Sequence, residues 1–178
     1  MKKITLLCLL FFTQLIFAQF TASDVKYYVG TGTETAYLVV DFKDGTDDRS
    51  YAWGYRYNAI DAPKMEDIIT AVAGAEPNFT YDFGAFSGGN FLNDIVFNSH
   101  SGIAATPDYW STWEGPDASS FAQNSGIGSV LQNNFWYGVS YGFANPTAEA
   151  PVTPIPAYSS QWFKNADVIT WLGTGSNE

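Results

Sequence analysis

Apolar and polar side chains alternate with period two along much of this chain, and the clearest case is Ser50-Tyr51-Ala52-Trp53-Gly54-Tyr55-Arg56-Tyr57. As a strand, this run puts Tyr51, Trp53, Tyr55 and Tyr57 on one face and Ala52, Gly54 and Arg56 on the other. Arg56, turned away from the rings, is expected beside a carboxylate or at the edge of the sheet. Residues 36–42, Ala-Tyr-Leu-Val-Val-Asp-Phe, are rich in β-branched and aromatic types and stop at Lys43-Asp44-Gly45, so 36–57 reads as a β-hairpin. The period then changes. Met65, Ile68, Ile69 and Val72 fall at i, i+3, i+4 and i+7, which predicts a helix over 63–73 with one apolar stripe. Pro63 suits its first turn, Asp61 is the candidate N-cap, and Gly74 and Pro77 supply the stop. Residues 79–83, 91–97, 108–113 and 135–143 return to short strands separated by Gly, Ser, Asn and Pro. The predicted class is α+β: a mainly antiparallel or mixed sheet with one helix packed on it.

The ends of the chain differ in character from its middle. Met1-Lys2-Lys3 leads into an apolar run that closes on Ala18 and is shorter than the ~20 residues a membrane span needs. A basic head, a short apolar stretch and a small residue describe a signal peptide over 1–18, cut before Gln19. Cys8 lies inside that run behind Leu6 and Leu7, where lipid attachment would want small residues. With 1–18 removed the chain has 160 residues, no cysteine and no membrane span, so its core must hold it without a disulfide. A secreted or cell-surface location follows, and one main domain over 19–145 is expected.

Four prolines, Pro146, Pro151, Pro154 and Pro156, make 146–165 read as an extended linker. Beyond it Asp167-Val168-Ile169-Thr170-Trp171-Leu172-Gly173-Thr174-Gly175-Ser176 lines up with Asp24-Val25-Lys26-Tyr27-Tyr28-Val29-Gly30-Thr31-Gly32-Thr33. An apolar strand runs into Gly-Thr-Gly in both places, so 166–178 is expected to open a second copy of the module in a longer protein.

Loss of Lys2 and Lys3 leaves six basic against 18 acidic residues, a net charge of −12. Nucleic acid and anionic lipid are poor partners for such a surface, since both are bound by displacing counterions with Lys and Arg. Catalytic constellations are absent from the pattern. His100 is the one histidine, set in the polar run Asn98-Ser99-His100-Ser101-Gly102, and reads as a loop residue; no G-x-S-x-G occurs, and one His with no Cys cannot fill a zinc site. Asp41, Asp44, Asp47 and Asp48 cluster at the hairpin turn, where oxygen ligands could hold Ca²⁺, although Asp is also simply a favoured turn residue.

Aromatic residues make up 17% of the chain and fall mostly on the expected strands, which makes them the candidate contacts. In 135–143 one face is Phe135, Tyr137, Val139, Tyr141 and Phe143; the other is Trp136, Gly138, Ser140 and Gly142. The second face is almost bare, so either another segment packs flat on it or a ligand does. In the ligand reading Trp53, Trp110, Trp113 and Trp136 are the contacts, stacking on a sugar or a flat macrocycle. The chain would then be a non-catalytic extracellular binding module; in the packing reading it is a structural or adhesive repeat of a surface protein.

The segment Tyr37 to Gly45, then Trp53-Gly54-Tyr55-Arg56-Tyr57 and the helix ending near Gly74, resembles a family of uncharacterised bacterial secreted proteins carrying W-G-Y-R followed by an aromatic. Tyr109-Trp110-x-x-Trp113 and Phe135-Trp136-Tyr137-Gly138 are similar to the small β-grasp-like domain at the C-terminus of transcobalamin-type proteins. The first resemblance implies no activity. The second implies contact with a corrinoid or another flat ligand, on fold-level analogy alone.

Overall fold

The hairpin forms where the alternation puts it. In a computed structural model that describes residues 19–143 and 147–160, its arms are β2 (Glu34–Asp41) and β3 (Ser50–Tyr57), antiparallel, with Leu38 opposite Trp53 and Tyr37 opposite Gly54. Around it lie β1 (Tyr28–Gly30), α1 (Met65–Ala75), β4 (Phe79–Phe86), β5 (Gly89–Phe97), β6 (His100–Ile103), β7 (Trp110–Gly115), β8 (Ala122–Gln123), β9 (Phe135–Tyr141) and β10 (Ile155–Pro156). The large mixed sheet runs β1-β3-β2-β9-β7-β8, with β10 also on β3. β9 is parallel to β2 and antiparallel to β7. A separate antiparallel sheet, β4-β5-β6, makes the fold two-sheeted. The class is α+β and mainly β, as the periodicities predict.

The two sheets and the helix close one core. Ala36, Leu38, Val40 and Phe42 from β2 and the residue after it, Trp53 and Tyr57 from β3, and Tyr137 and Val139 from β9 meet Met65, Ile68, Ile69 and Val72 of α1. Phe79, Leu92, Ile95 and Phe97 of the small sheet complete it. Those four helix positions are the predicted stripe, and all are fully buried. The helix begins two residues later than its sequence suggests. Asp61 sits in a short 3₁₀ turn, Ala59–Asp61, and the N-terminus is closed by Asp67, whose Oδ2 accepts the Lys64 N–H at 2.7 Å. Gly74 lies inside the helix, and Glu76 is the C-cap.

The nearly bare face of the large sheet is covered by the chain itself. Phe20, Val25, Tyr37, Val39, Ala52, Ala118 and Trp136 form a second, smaller core there, with Phe121 packed against it. Gly138 is the seat for this cover: a Cβ there would come within 2.7 Å of Pro151 Cγ and 3.2 Å of Phe121 Cε1. Gly54 serves the same purpose under the Tyr28 ring, 2.3 Å from where its Cβ would stand. Arg56 does point away from the aromatic stripe, so the register is as read. Its exposed guanidinium lies 5.2 Å from the Tyr28 ring centroid, near the end of β3.

The described part of the proline-rich stretch is a correction to the linker. Within residues 147–160, β10 joins the outer edge of β3, with Ile155 opposite Tyr51 and Pro156 opposite Ala52, and the Ala157 N–H donates to Ala52 O at 3.0 Å. Asp41, fully buried, accepts the Val152 N–H at 3.0 Å, and Glu76, also buried, accepts the Ser160 N–H at 2.8 Å. Proline lacks a donor and so suits a strand that gives few ladder bonds at an edge. Pro151, Pro154 and Ala157 are buried in the result. The signal peptide and the second copy expected over 166–178 fall outside the described residues.

Trp53 is fully buried and meets Phe79 and Phe97 edge-on, with centroids 5.4 and 5.1 Å apart. Trp53→Ala is therefore expected to lower the unfolding free energy by about 3–5 kcal/mol, read as a fall in the urea midpoint. A midpoint unchanged within error would mean that this ring is not at the centre of the core.

Candidate functional site

The four tryptophans do not form a platform. Trp53, Trp110, Trp113 and Trp136 are 0, 7, 9 and 3% exposed, each covered by side chains of the same chain. Trp136 stacks on Tyr37 at 4.4 Å and meets the Phe20 edge at 6.1 Å. Trp110 donates its Nε1–H to Gly102 O at 3.1 Å, and Trp113 donates its own to Ser111 Oγ at 2.9 Å. An indole buried by the side chains of its own chain, as all four are, offers no face to a ligand. The stacking surface proposed from the sequence is corrected on that ground, because period two distributes rings between two faces without saying that both faces are buried.

Trp110 still borders open space. Strands β5 and β7 belong to different sheets, and where they part a groove of about 640 Å³ opens, within the range typical of small-ligand sites. Leu92, Trp110 and Ile127 form its buried floor. Three aromatic side chains rim it, Phe91, Tyr109 and Phe143, at 44, 48 and 48% exposed. Thr112, Gln123, Asn124 and Ser125 supply hydroxyl and amide groups along one wall, and among the described residues no charged one lines it.

Each rim residue is placed by an identifiable local feature. In the β4–β5 pair the register shifts between Asp82 and Phe83, so that Asp82 faces Asp94 while Phe83 faces Leu92. Beyond that bulge the Phe91 ring lies over Gly84, whose missing Cβ would stand 2.1 Å from Phe91 Cζ. Tyr109 and Phe143 are joined through backbone, since Tyr109 O accepts both the Gly142 and the Phe143 N–H at 2.9 Å. The polar wall is held beside β7 by Asn124 N–H donating to Thr112 O at 3.0 Å, and turned by Gly126, whose N–H donates to Asn124 Oδ1. Gly126 has φ of +129°, a conformation that favours glycine. The sequence marks Phe91, Tyr109 and Phe143 as strand residues; nothing in their linear order shows that the three meet.

The four hairpin-turn carboxylates do not converge on one point; Asp44 and Asp48 approach the two ring nitrogens of His100, at 2.6 and 3.9 Å, while Asp41 and Asp47 lie apart from them. Asp41 turns inward, accepting from Lys43 N–H and Val152 N–H, with Arg49 Nε at 3.4 Å. Asp44 Oδ2 lies 2.6 Å from His100 Nδ1, and its Oδ1 accepts from Thr46 Oγ1 and N. Asp48 accepts from Tyr51 Oη at 3.2 Å, and Asp47 is exposed. Among the described residues no three His, Asp or Glu side chains converge as a metal-binding group.

His100 is a further correction. It begins strand β6, is buried, and bridges the sheets: Nδ1 to Asp44 of the β2–β3 turn, and Nε2 to Tyr51 Oη at 3.1 Å. Burial pushes the Tyr51 phenol up to about 12, helped by the nearby charge of Asp48. For Asp44 burial acts upward too, but hydrogen bonds from Thr46 and His100 outweigh it and hold the carboxyl below its ordinary value. The surroundings engage every polar atom of the imidazole, so this contact reads as a latch between the sheets.

Known protein families, curated proteins and solved structures were each compared with the chain, and none matches. What the protein does must come from its own geometry.

Replacing Asp44 by Ala should cost about 1–3 kcal/mol at neutral pH, because a charged hydrogen bond goes and the buried imidazole loses its partner. The Asp44 contribution should be complete above the ordinary aspartate value of 3.8 and vanish as the pH falls from there through the lower native value. Denaturation of both proteins between pH 2 and 7 checks this; a gap that persists unchanged at pH 2 contradicts it.

Proposed function

We propose that this protein is a non-catalytic, exported binding module that takes a neutral sugar-like ligand in the groove between its two sheets. The carrying observation is the combination of three half-exposed rings with an uncharged hydroxyl and amide wall. Sugar rings offer an apolar face for aromatic stacking and hydroxyl groups for such a wall. An anionic macrocycle would want cations, which the described residues of the groove do not supply and the acidic surface opposes. Support for a non-catalytic role comes from His100, whose ring nitrogens are engaged away from this groove. The signal-like residues 1–18 support export.

The competing reading is a structural or adhesive repeat, and burial of all four candidate tryptophans favours it. Trp110 separates the two readings because it forms the groove floor and reports by fluorescence. Titration of the mature chain with neutral oligosaccharides and with a flat macrocycle should shift tryptophan emission for the sugars, saturably. Tyr109→Ala and Phe91→Ala should each weaken that binding about two- to tenfold. Emission indifferent to every ligand, from a protein that unfolds cooperatively, would leave the structural repeat as the function.

A further inference from the structure

The parallel strands β2 and β9 end side by side, with Asp41 opposite Ser140, and a second cavity of about 380 Å³ opens beyond their ends. Lys43 and Arg49 of the hairpin turn line it together with Asp108, Gly142, Thr147 and Glu149. Among the described residues it has no lining residue in common with the sugar groove. Its chemistry is also different. After residue 18 the chain has six basic residues against 18 acidic ones, and two of the six meet here.

Both cations are held in place from behind. Asp41, fully buried, accepts the Lys43 N–H through Oδ1 at 3.0 Å, and the same oxygen stands 3.4 Å from Arg49 Nε. Lys43 has φ of +47°, a left-handed conformation that glycine or asparagine adopts more cheaply, and such strain persists where the surroundings fix it. Arg49 is tethered through Nε, and among the described residues its two Nη groups have no hydrogen-bond partner. Lys43 Nζ donates to Glu149 Oε2 at 2.7 Å. The hydrogen bond and charge of Lys43, with the charge of Arg49 adding to them, hold the Glu149 carboxyl below its ordinary value. Glu149 is 68% exposed, so charge and not packing keeps it there, and an exposed pair of this kind exchanges readily with solvent. The two cations therefore already receive a carboxylate, and one that is free to leave. Asp108, the other acid of the lining, turns Oδ1 to the Tyr109 N–H at 2.8 Å.

We propose that this cavity is a second binding site, for a small ligand bearing a carboxylate, and that Glu149 is the internal occupant which the ligand displaces. The ligand carboxylate takes paired bonds from the Nη groups of Arg49, the end of the planar fork that Asp41 leaves open, and Lys43 turns from Glu149 to neutralise it. Thr147 adds a hydroxyl to the same lining. The acidic surface repels anions in general, so occupancy depends on this fixed pair and not on the field of the whole molecule.

The test follows the backbone amide NMR signals of the mature chain during titration with sodium acetate, the ionic strength being held constant with chloride. Acetate should give saturable shifts centred on Lys43, Arg49, Gly142 and Thr147, and acetamide, its neutral isostere, should give none. Glu149→Gln removes the internal competitor at an exposed position and should tighten acetate binding about two- to fivefold. Arg49→Lys keeps the charge without the planar fork and should weaken binding at least about fivefold. If Arg49→Lys does not fold, which the same spectra report, Lys43→Gln takes its place and should weaken binding in the same sense. Shifts that rise linearly and scatter over the surface overturn the proposal. So does an affinity that Glu149→Gln leaves unchanged or lowers, or one that the cation variant leaves intact.

Discussion

Burial of both faces of the large sheet is the constraint on which the rest of this structure depends. β2, β3 and β9 lie at its centre, and every second residue on them is a ring or an aliphatic side chain facing α1 and the small sheet. The other face carries Ala52, Gly54, Gly138 and Val39, small enough for the chain to lie flat on it. A sheet dry on one side needs only one layer of cover. This one needs two, and the covering segments are irregular: residues 20–25 before β1, the loop around Ala118 and Phe121, and Pro151. The glycines are spaces for that second layer, and a ligand is not needed to explain them.

Covering the second face determines how the ends of the domain are organised. Both the lead into β1 and the proline-rich stretch must cross onto β3 at its edge, and each reaches it as a short parallel strand. Two buried carboxylates hold the latter stretch down. Asp41 and Glu76 accept the Val152 and Ser160 N–H groups, which replaces water as partner for both sides of each bond. With β3 screened in this way, the edge is closed against strand addition as long as its own strands stay seated.

The small sheet is fastened differently, and that difference opens the groove. Its inner face joins the main core through Phe79, Leu92, Ile95 and Phe97, and the Asp44–His100–Tyr51 contact ties β6 to the hairpin turn. At the far end no strand among the described residues bridges β5 and β7, and Phe91, Tyr109 and Phe143 are half exposed around uncharged polar groups. A latch at one end and a cleft at the other are consequences of packing two twisted sheets that share one core but no ladder.

Local order is what the residues themselves determined. The hairpin, its register, the stripe of α1 and most strands depend on periodicity and turn chemistry that act within about ten residues, and these are legible in the line of residues. The destination of each face is a long-range matter. Trp136 and Gly138 read equally well as a ligand platform or as a packing surface, and only the arrival of Phe20, Phe121 and Pro151 decides between them. His100 reads as a loop residue because its partners, Asp44 and Tyr51, are 56 and 49 residues away in sequence. The groove belongs wholly to the tertiary structure, since a concavity between two sheets has no local signal: its rings are ordinary strand residues until the packing leaves one edge of each uncovered.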